Sequence, residues 1–198
     1  MGMPKARIPT YHHGNLREAL LDAAEVLLPQ SGPEALTLRE VARHAGVSHG
    51  APYHHFESRD ALLAAVAERG FSGLGEAMAA AAGVTARDRL VAVCEAYVDF
   101  AAGHPTRFRL MFGPLLASKA RYPGLKAAAE QSFFLLLDAA KEVAPSQAMP
   151  LALAGWSMAH GLAHLRINQV FDTLPVAAPP EGELAGQLAR WLLQHVGG

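Results

Sequence analysis

Between Thr37 and Phe56 the chain has room for little besides two short helices joined by a tight turn. Thr37-Leu38-Arg39-Glu40 has the form of a capping box, in which a threonine hydroxyl and a glutamate three residues on satisfy each other's free amide hydrogens. Leu38, Val41, Ala42 and Ala45 then give a short helix one apolar face. Gly46 supplies the backbone freedom for a tight turn, and Val47 plugs a small core. Ser48 is placed to cap a second short helix running to about Phe56.

The flanking sequence is helical as well. From Asn15 to Leu28 the apolar residues Leu16, Ala19, Leu20, Ala23 and Leu27 recur at steps of three and four, and Asn15 and Glu18 have capping-box spacing. This helix is expected to stop between Pro29 and Pro33. Ser58 is placed to cap a further helix that begins with Arg59 and Asp60 and runs toward Ala82, linking two halves of the chain. Apolar periodicity between glycine and proline breaks predicts helices over Arg87–Ala102, Pro105–Phe112, Leu125–Val143, Leu151–Val170 and Glu183–Val196. Leu174–Pro180 reads as a loop, and no alternating strand pattern is present. The expected fold is therefore all-α, with a helix-turn-helix domain over residues 1–65 and a helical-bundle domain over 66–198.

A chain of 198 residues with 51% apolar and 18% charged residues can bury a core and is not a disordered one. The single Cys94 excludes an internal disulfide, and a reducing cytoplasm is the expected location. The N-terminus lacks the apolar stretch of a signal peptide. Val143–Leu165 carries no Asp, Glu, Lys or Arg, but Pro145, Ser146, Gln147, Pro150, His160 and His164 make it a buried helix and no membrane span. A net charge of −1 does not announce a nucleic-acid binder. Its distribution is suggestive, because Lys5, Arg7, His12, His13 and Arg17 all precede the first acid, Glu18.

Two short helices joined at a glycine, behind a supporting helix, make a helix-turn-helix, whose second short helix enters the major groove of DNA. On that geometry Ser48 frees a helix N-terminus to face phosphate, and His49, Gly50, Ala51, Tyr53 and His54 face the duplex. Pro52 sits in the first turn, where its missing amide hydrogen costs least. Tyr53 suits either a phosphate hydrogen bond or plain packing, and His55 reads as a buried structural histidine.

Three segments, Tyr11-His12-His13-Gly14-Asn15-Leu16-Arg17, Ala45-Gly46-Val47-Ser48 and Pro52-Tyr53-His54-His55-Phe56-Glu57-Ser58-Arg59, together resemble the DNA-binding domain of the tetracycline-repressor (TetR) family. The resemblance covers roughly residues 11 to 65. Downstream, Trp156-Ser157-Met158-Ala159-His160-Gly161 is similar to the WHG-type effector domain of one branch of that family. The resemblance implies a homodimeric regulator, most simply a repressor, that binds a double-stranded DNA operator and releases it to a small apolar or amphipathic effector, without a cofactor. It further implies that Thr37 and Arg39 touch DNA from the first short helix, that His49, Gly50 and Ala51 read bases, and that Tyr53 and His54 touch backbone or base. Arg59 becomes a phosphate clamp and Phe56 the anchor that sets the reader's angle. His49-Gly50-Ala51 offers few hydrogen-bonding groups, which shifts the expected selectivity toward phosphate contacts and DNA shape. The dimer interface falls on the last two long helices, where Leu184, Leu188, Trp191, Leu192 and Val196 form an apolar stripe.

Phe108, Met111, Phe112, Phe133, Trp156, His160 and His164 are the candidate lining of an effector pocket, with Phe134 and Met158 nearby. Most of these aromatic and methionine residues fit a core equally well. His160 and His164 stand one helical turn apart, the spacing at which a helix offers two ligands to one metal. Gly161 occupies the place where a metalloprotease helix carries its glutamate, so no metal is assigned. Two other readings stay open: a DNA-binding regulator controlled by a protein partner or by nothing, and a helical metal-dependent enzyme using His160 and His164.

Overall fold

A computed structural model describes residues 16–173 and 183–194. Eight α-helices and several short 3-10 turns make up the described residues, with no strand among them. The helices are α1 (Leu16–Ala35), α2 (Leu38–His44), α3 (Arg59–Ala79), α4 (Ala86–Gly103), α5 (Pro105–Phe112), α6 (Pro123–Val143), α7 (Ala148–Ile167) and α8 (Leu184–Gln194). The chain divides into two compact units, one ending at Leu62 and one starting at Leu63. The division falls inside α3, which runs without interruption from one unit into the other.

In the first unit α1 buries Leu20, Leu21, Ala24 and Leu28. As the sequence leads one to expect, its regular turns end between Pro29 and Pro33, at Gly32, whose φ of 74° and ψ of 164° are not helical. A last short turn follows that break and continues to Ala35. The capping box of α2 is complete. The Thr37 hydroxyl accepts from the Glu40 amide at 3.2 Å, and the Glu40 carboxylate accepts from the Thr37 amide at 3.0 Å. The helix ends in a Schellman turn, with Gly46 at φ 70°. There the Gly46 amide donates to the Arg43 carbonyl and the Val47 amide to the Ala42 carbonyl.

The next segment departs from the expected helix over Ser48–Phe56. Only a 3-10 turn, Ala51–His54, forms, and its cap is Gly50 without any side-chain hydrogen bond. Ser48 contributes its carbonyl, which accepts from the Ala51 amide at 3.0 Å. Ser58 does cap α3, its hydroxyl accepting from the Ala61 amide at 3.1 Å. The Asn15 cap, the basic tail of Lys5, Arg7, His12 and His13, the Leu174–Pro180 loop and Val196 lie outside the described residues.

In the second unit α4 packs against α6, α7 and α8, α6 packs against α7, and α7 against α8. A second capping box, Thr85 with Asp88, starts α4. The core of this unit holds Val98, Phe108, Met111, Leu125 and Ala152. Among the described residues no helix is long and apolar enough to cross a membrane.

Two local contributions to stability follow from the Thr37 cap and the Gly46 turn. Thr37→Ala is expected to lower the free energy of unfolding by about 1 kcal/mol. Gly46→Ala should cost about 1–2 kcal/mol. A Cβ at Gly46 meets nothing within 4 Å, so that cost is purely one of backbone conformation. Urea denaturation checks both, and midpoints equal to wild type would contradict the assignment.

Candidate nucleic-acid interface and effector cavity

The segment after Gly46 turns most of its side chains outward. Ser48, His49, Gly50, Tyr53 and His54 are exposed and Ala51 is half-buried, with Tyr53 57% exposed. Thr37 and Arg39 are exposed at the start of α2. Beneath this surface Pro52 and Phe56 are buried, and the Phe56 amide donates to the Pro52 carbonyl at 2.9 Å. The Arg17 guanidinium lies 5.8 Å from the Phe56 ring centroid, a cation–π contact over the anchor. His55 is exposed and not buried as the sequence suggests. The chain leaves the 3-10 turn after His54, so Phe56 swings inward and the histidine before it outward.

Arg59 is half-buried and already engaged. Its Nη1 donates to the Glu34 carbonyl at 2.9 Å, and its Nε and Nη2 donate to Asp60 Oδ1 at 3.1 and 2.9 Å. In this arrangement it ties the start of α3 to the end of α1, and a phosphate would compete with those acceptors for its donors.

The second unit contains an apolar cavity of about 450 Å³. Of the residues expected to line a pocket or stand near it, Phe112, Phe133, Phe134 and Trp156 are on its wall. Phe108 and Met111 do not, being fully buried in the core. His160 and His164 are half-buried and lie in an aromatic cluster beside it, with Phe112–His160 centroids 4.6 Å apart and Phe108–His164 centroids 5.6 Å apart. Tyr97 joins cluster and cavity. Its hydroxyl accepts from Trp156 Nε1 at 3.2 Å and lies 2.8 Å from His160 Nδ1. An indole N–H can only donate, so the tyrosine oxygen accepts from Trp156, and its own hydrogen is left free to serve Nδ1 when that nitrogen is unprotonated. Burial raises the Tyr97 hydroxyl pKa well above its ordinary value, which keeps that donor protonated. No group of three or more metal-ligating side chains occurs among the described residues.

A family model described as bacterial regulatory proteins of the tetR family matches residues 20–66, and one described as the tetracyclin repressor-like C-terminal domain matches residues 90–194. The chain belongs to the tetracycline-repressor family. It is therefore a DNA-binding transcriptional regulator and not an enzyme, which removes the metalloenzyme reading of His160 and His164. The HTH-type transcriptional repressor KstR2 of Rhodococcus jostii (strain RHA1) is 40% identical over 47 residues, 24% of this chain and 23% of that protein. The matched stretches span between 23% and 45% of the length of the curated relatives. A protein of unknown function from Rhodococcus sp. RHA1 is 34% identical, with a TM-score of 0.81 over 94% of this chain and 98% of the other. A tetR-family regulatory protein from Rhodococcus RHA1 shares the fold at 21% identity, with a TM-score of 0.70 over 93% of this chain and 98% of its own.

In this regulator the sequence pattern gives no sign of several cavity residues, among them Phe71, Met78, Tyr97, Lys119 and Leu153. They come from four separate stretches of chain, and no local periodicity gathers them. The Thr85–Asp88 box, by contrast, carries a readable signature of threonine followed three residues later by an acid.

Burial, and secondarily the neighbouring His164, holds the His160 imidazole below its ordinary 6.5. The unfolded chain therefore binds more protons than the folded one just below pH 6.5, and stability is full above that value and falls as pH drops through it. Thermal melts from pH 7.5 to 5 should show a shallower decline for His160→Gln than for wild type. Equal slopes would mean that the imidazole is not held neutral by its surroundings.

Proposed function

We propose that the chain is a homodimeric repressor that binds a palindromic operator and releases it when a small apolar or amphipathic molecule fills the cavity of the second unit. Residues 1–65 serve as the DNA-reading part and 66–198 as the effector and dimerisation part. The observation that carries the reading is the pairing of an outward-facing Ser48–His54 segment with a cavity of about 450 Å³, within the usual size range of small-molecule sites. One such segment reads too few base pairs to select a site. Two related by a two-fold axis read half-sites about 34 Å apart. Exposed apolar side chains on the last two helices, Met149 and Leu165 of α7 and Trp191 of α8, support pairing there.

Thr37, Arg39, Ser48, His49, Gly50, Ala51, Tyr53 and His54 form the contact set, and Arg59 acts chiefly by holding the start of α3. An effector lowers operator affinity by binding the released state more tightly. A coupling of about 1–3 kcal/mol corresponds to roughly 5–150-fold.

Duplexes selected by the purified protein from a random pool supply the test. Tyr53→Phe should weaken binding about tenfold on selected and unselected sequences alike, because a phosphate contact carries no sequence information. His49→Ala should instead relax the selected sequence, at a cost of about 1–3 kcal/mol on the best site. Wild-type affinity and selectivity in both variants would remove the segment as the reader. Compounds that raise the melting temperature should also dissociate the selected duplex, and stabilising compounds without that effect would remove the release mechanism.

A further inference from the structure

Two lysines, Lys119 and Lys126, line the cavity. Lys126 is neutralised by its neighbour one turn along α6, with Nζ 2.7 Å from Glu130 Oε1. Lys119 stands in the 3-10 turn Lys119–Arg121, is half-buried, and among the described residues has no carboxylate within salt-bridge distance. Its Nζ lies 5.7 Å from the Phe71 ring centroid, a cation–π contact that offsets only part of the lost hydration.

The other polar groups of the wall are already occupied. The Tyr97 hydroxyl is shared between Trp156 and His160, and the Ser132 hydroxyl donates to the Ala129 carbonyl at 2.8 Å. Most of the remaining wall is apolar. A molecule that fills this space and reaches the Lys119 ammonium would take the place of solvent there. A neutral occupant would leave that charge both buried and unpaired, whereas an anionic group would restore a partner in place of the water.

We propose that the effector is an anionic amphiphile, a carboxylate or similar anionic head group on an apolar body, with its head on Lys119 and its body among Phe71, Met78, Phe133 and Trp156. The proposal rests on the reading of this cavity as the effector site and names the chemistry of its occupant. Burial also pulls the Lys119 ammonium pKa below its usual value, and an adjacent carboxylate would raise it again.

Three probes with one body and different heads test it: decanoate, 1-decanol and decylamine, each titrated calorimetrically into the full chain at pH 7. Decanoate is expected to bind at least about tenfold more tightly than decanol, and decylamine most weakly, since a hydrogen bond to a charged group is worth roughly one decade or more of affinity. Lys119→Met should erase the advantage of decanoate while leaving decanol binding unchanged, which also shows that the variant is folded. Lys119→Arg should keep the advantage. Decanol binding as tightly as decanoate to wild type, or an undiminished preference in Lys119→Met, would overturn the anionic assignment and leave the cavity as an effector site. Failure of all three to bind would overturn the cavity reading and this inference with it.

Discussion

Where α2 ends, the chain must reverse while its last carbonyl groups keep their partners, and a residue in left-handed conformation is what lets the Gly46 and Val47 amides fold back onto Arg43 and Ala42. The direction in which the following residues leave is set there. The 3-10 turn that follows is only four residues long, too short for its own hydrogen bonds to hold it against fraying. Its stability has to come from below, from the burial of Pro52 and Phe56, with Arg17 across the Phe56 ring. Proline suits the task because its ring fixes φ without sacrificing an amide hydrogen that a short turn would use. The outward face of Tyr53 and His54 is thus a by-product of two residues being pinned inward.

The second unit solves a different problem. Its helices bury small and large residues in alternation, and α7 in particular buries Leu151, Ala152, Gly155, Ala159, Leu162 and Ala163 along one stripe. Small residues there let neighbouring helices come close. Away from that stripe the same helix leaves Leu165 exposed and sets Leu153 on the cavity wall. The large aromatic rings are concentrated elsewhere. They stand edge-on around Tyr97 and leave beside it a space that the chain's own side chains do not fill.

How much of this was legible in the sequence depends on how local each cause is. The capping box at Thr37, the turn at Gly46 and the cap at Ser58 each involve residues three or four apart, and the structure shows all three. Pro105–Phe112 was legible in full, because a proline and a glycine bracket it. The break of α1 between Pro29 and Pro33 was legible too, since two prolines and a glycine stand together there. The choice of a 3-10 turn over an α-helix after Ser48 was not. Apolar spacing over so few residues suits both, and Pro52 is compatible with either. Cavity membership was least legible. Phe108 and Phe112 share a helix and a chemical type, yet one is fully buried and the other stands on the wall, a difference imposed by helices distant in sequence.

The release proposed for this chain would need one helix with residues in both units, and α3 is such a helix. The first residues of α3 are tied into the first unit by the Ser58 cap and by the hydrogen bonds from Arg59 to Glu34 and Asp60, while Phe71 and Met78 of that helix stand on the cavity wall. Between them the helix has no proline and no break. Tight binding alone is insufficient for control, however. An occupant shifts the equilibrium between two placements of α3 only by the difference in its affinity for them. The aromatic wall therefore has to fit the occupant better in one placement than in the other.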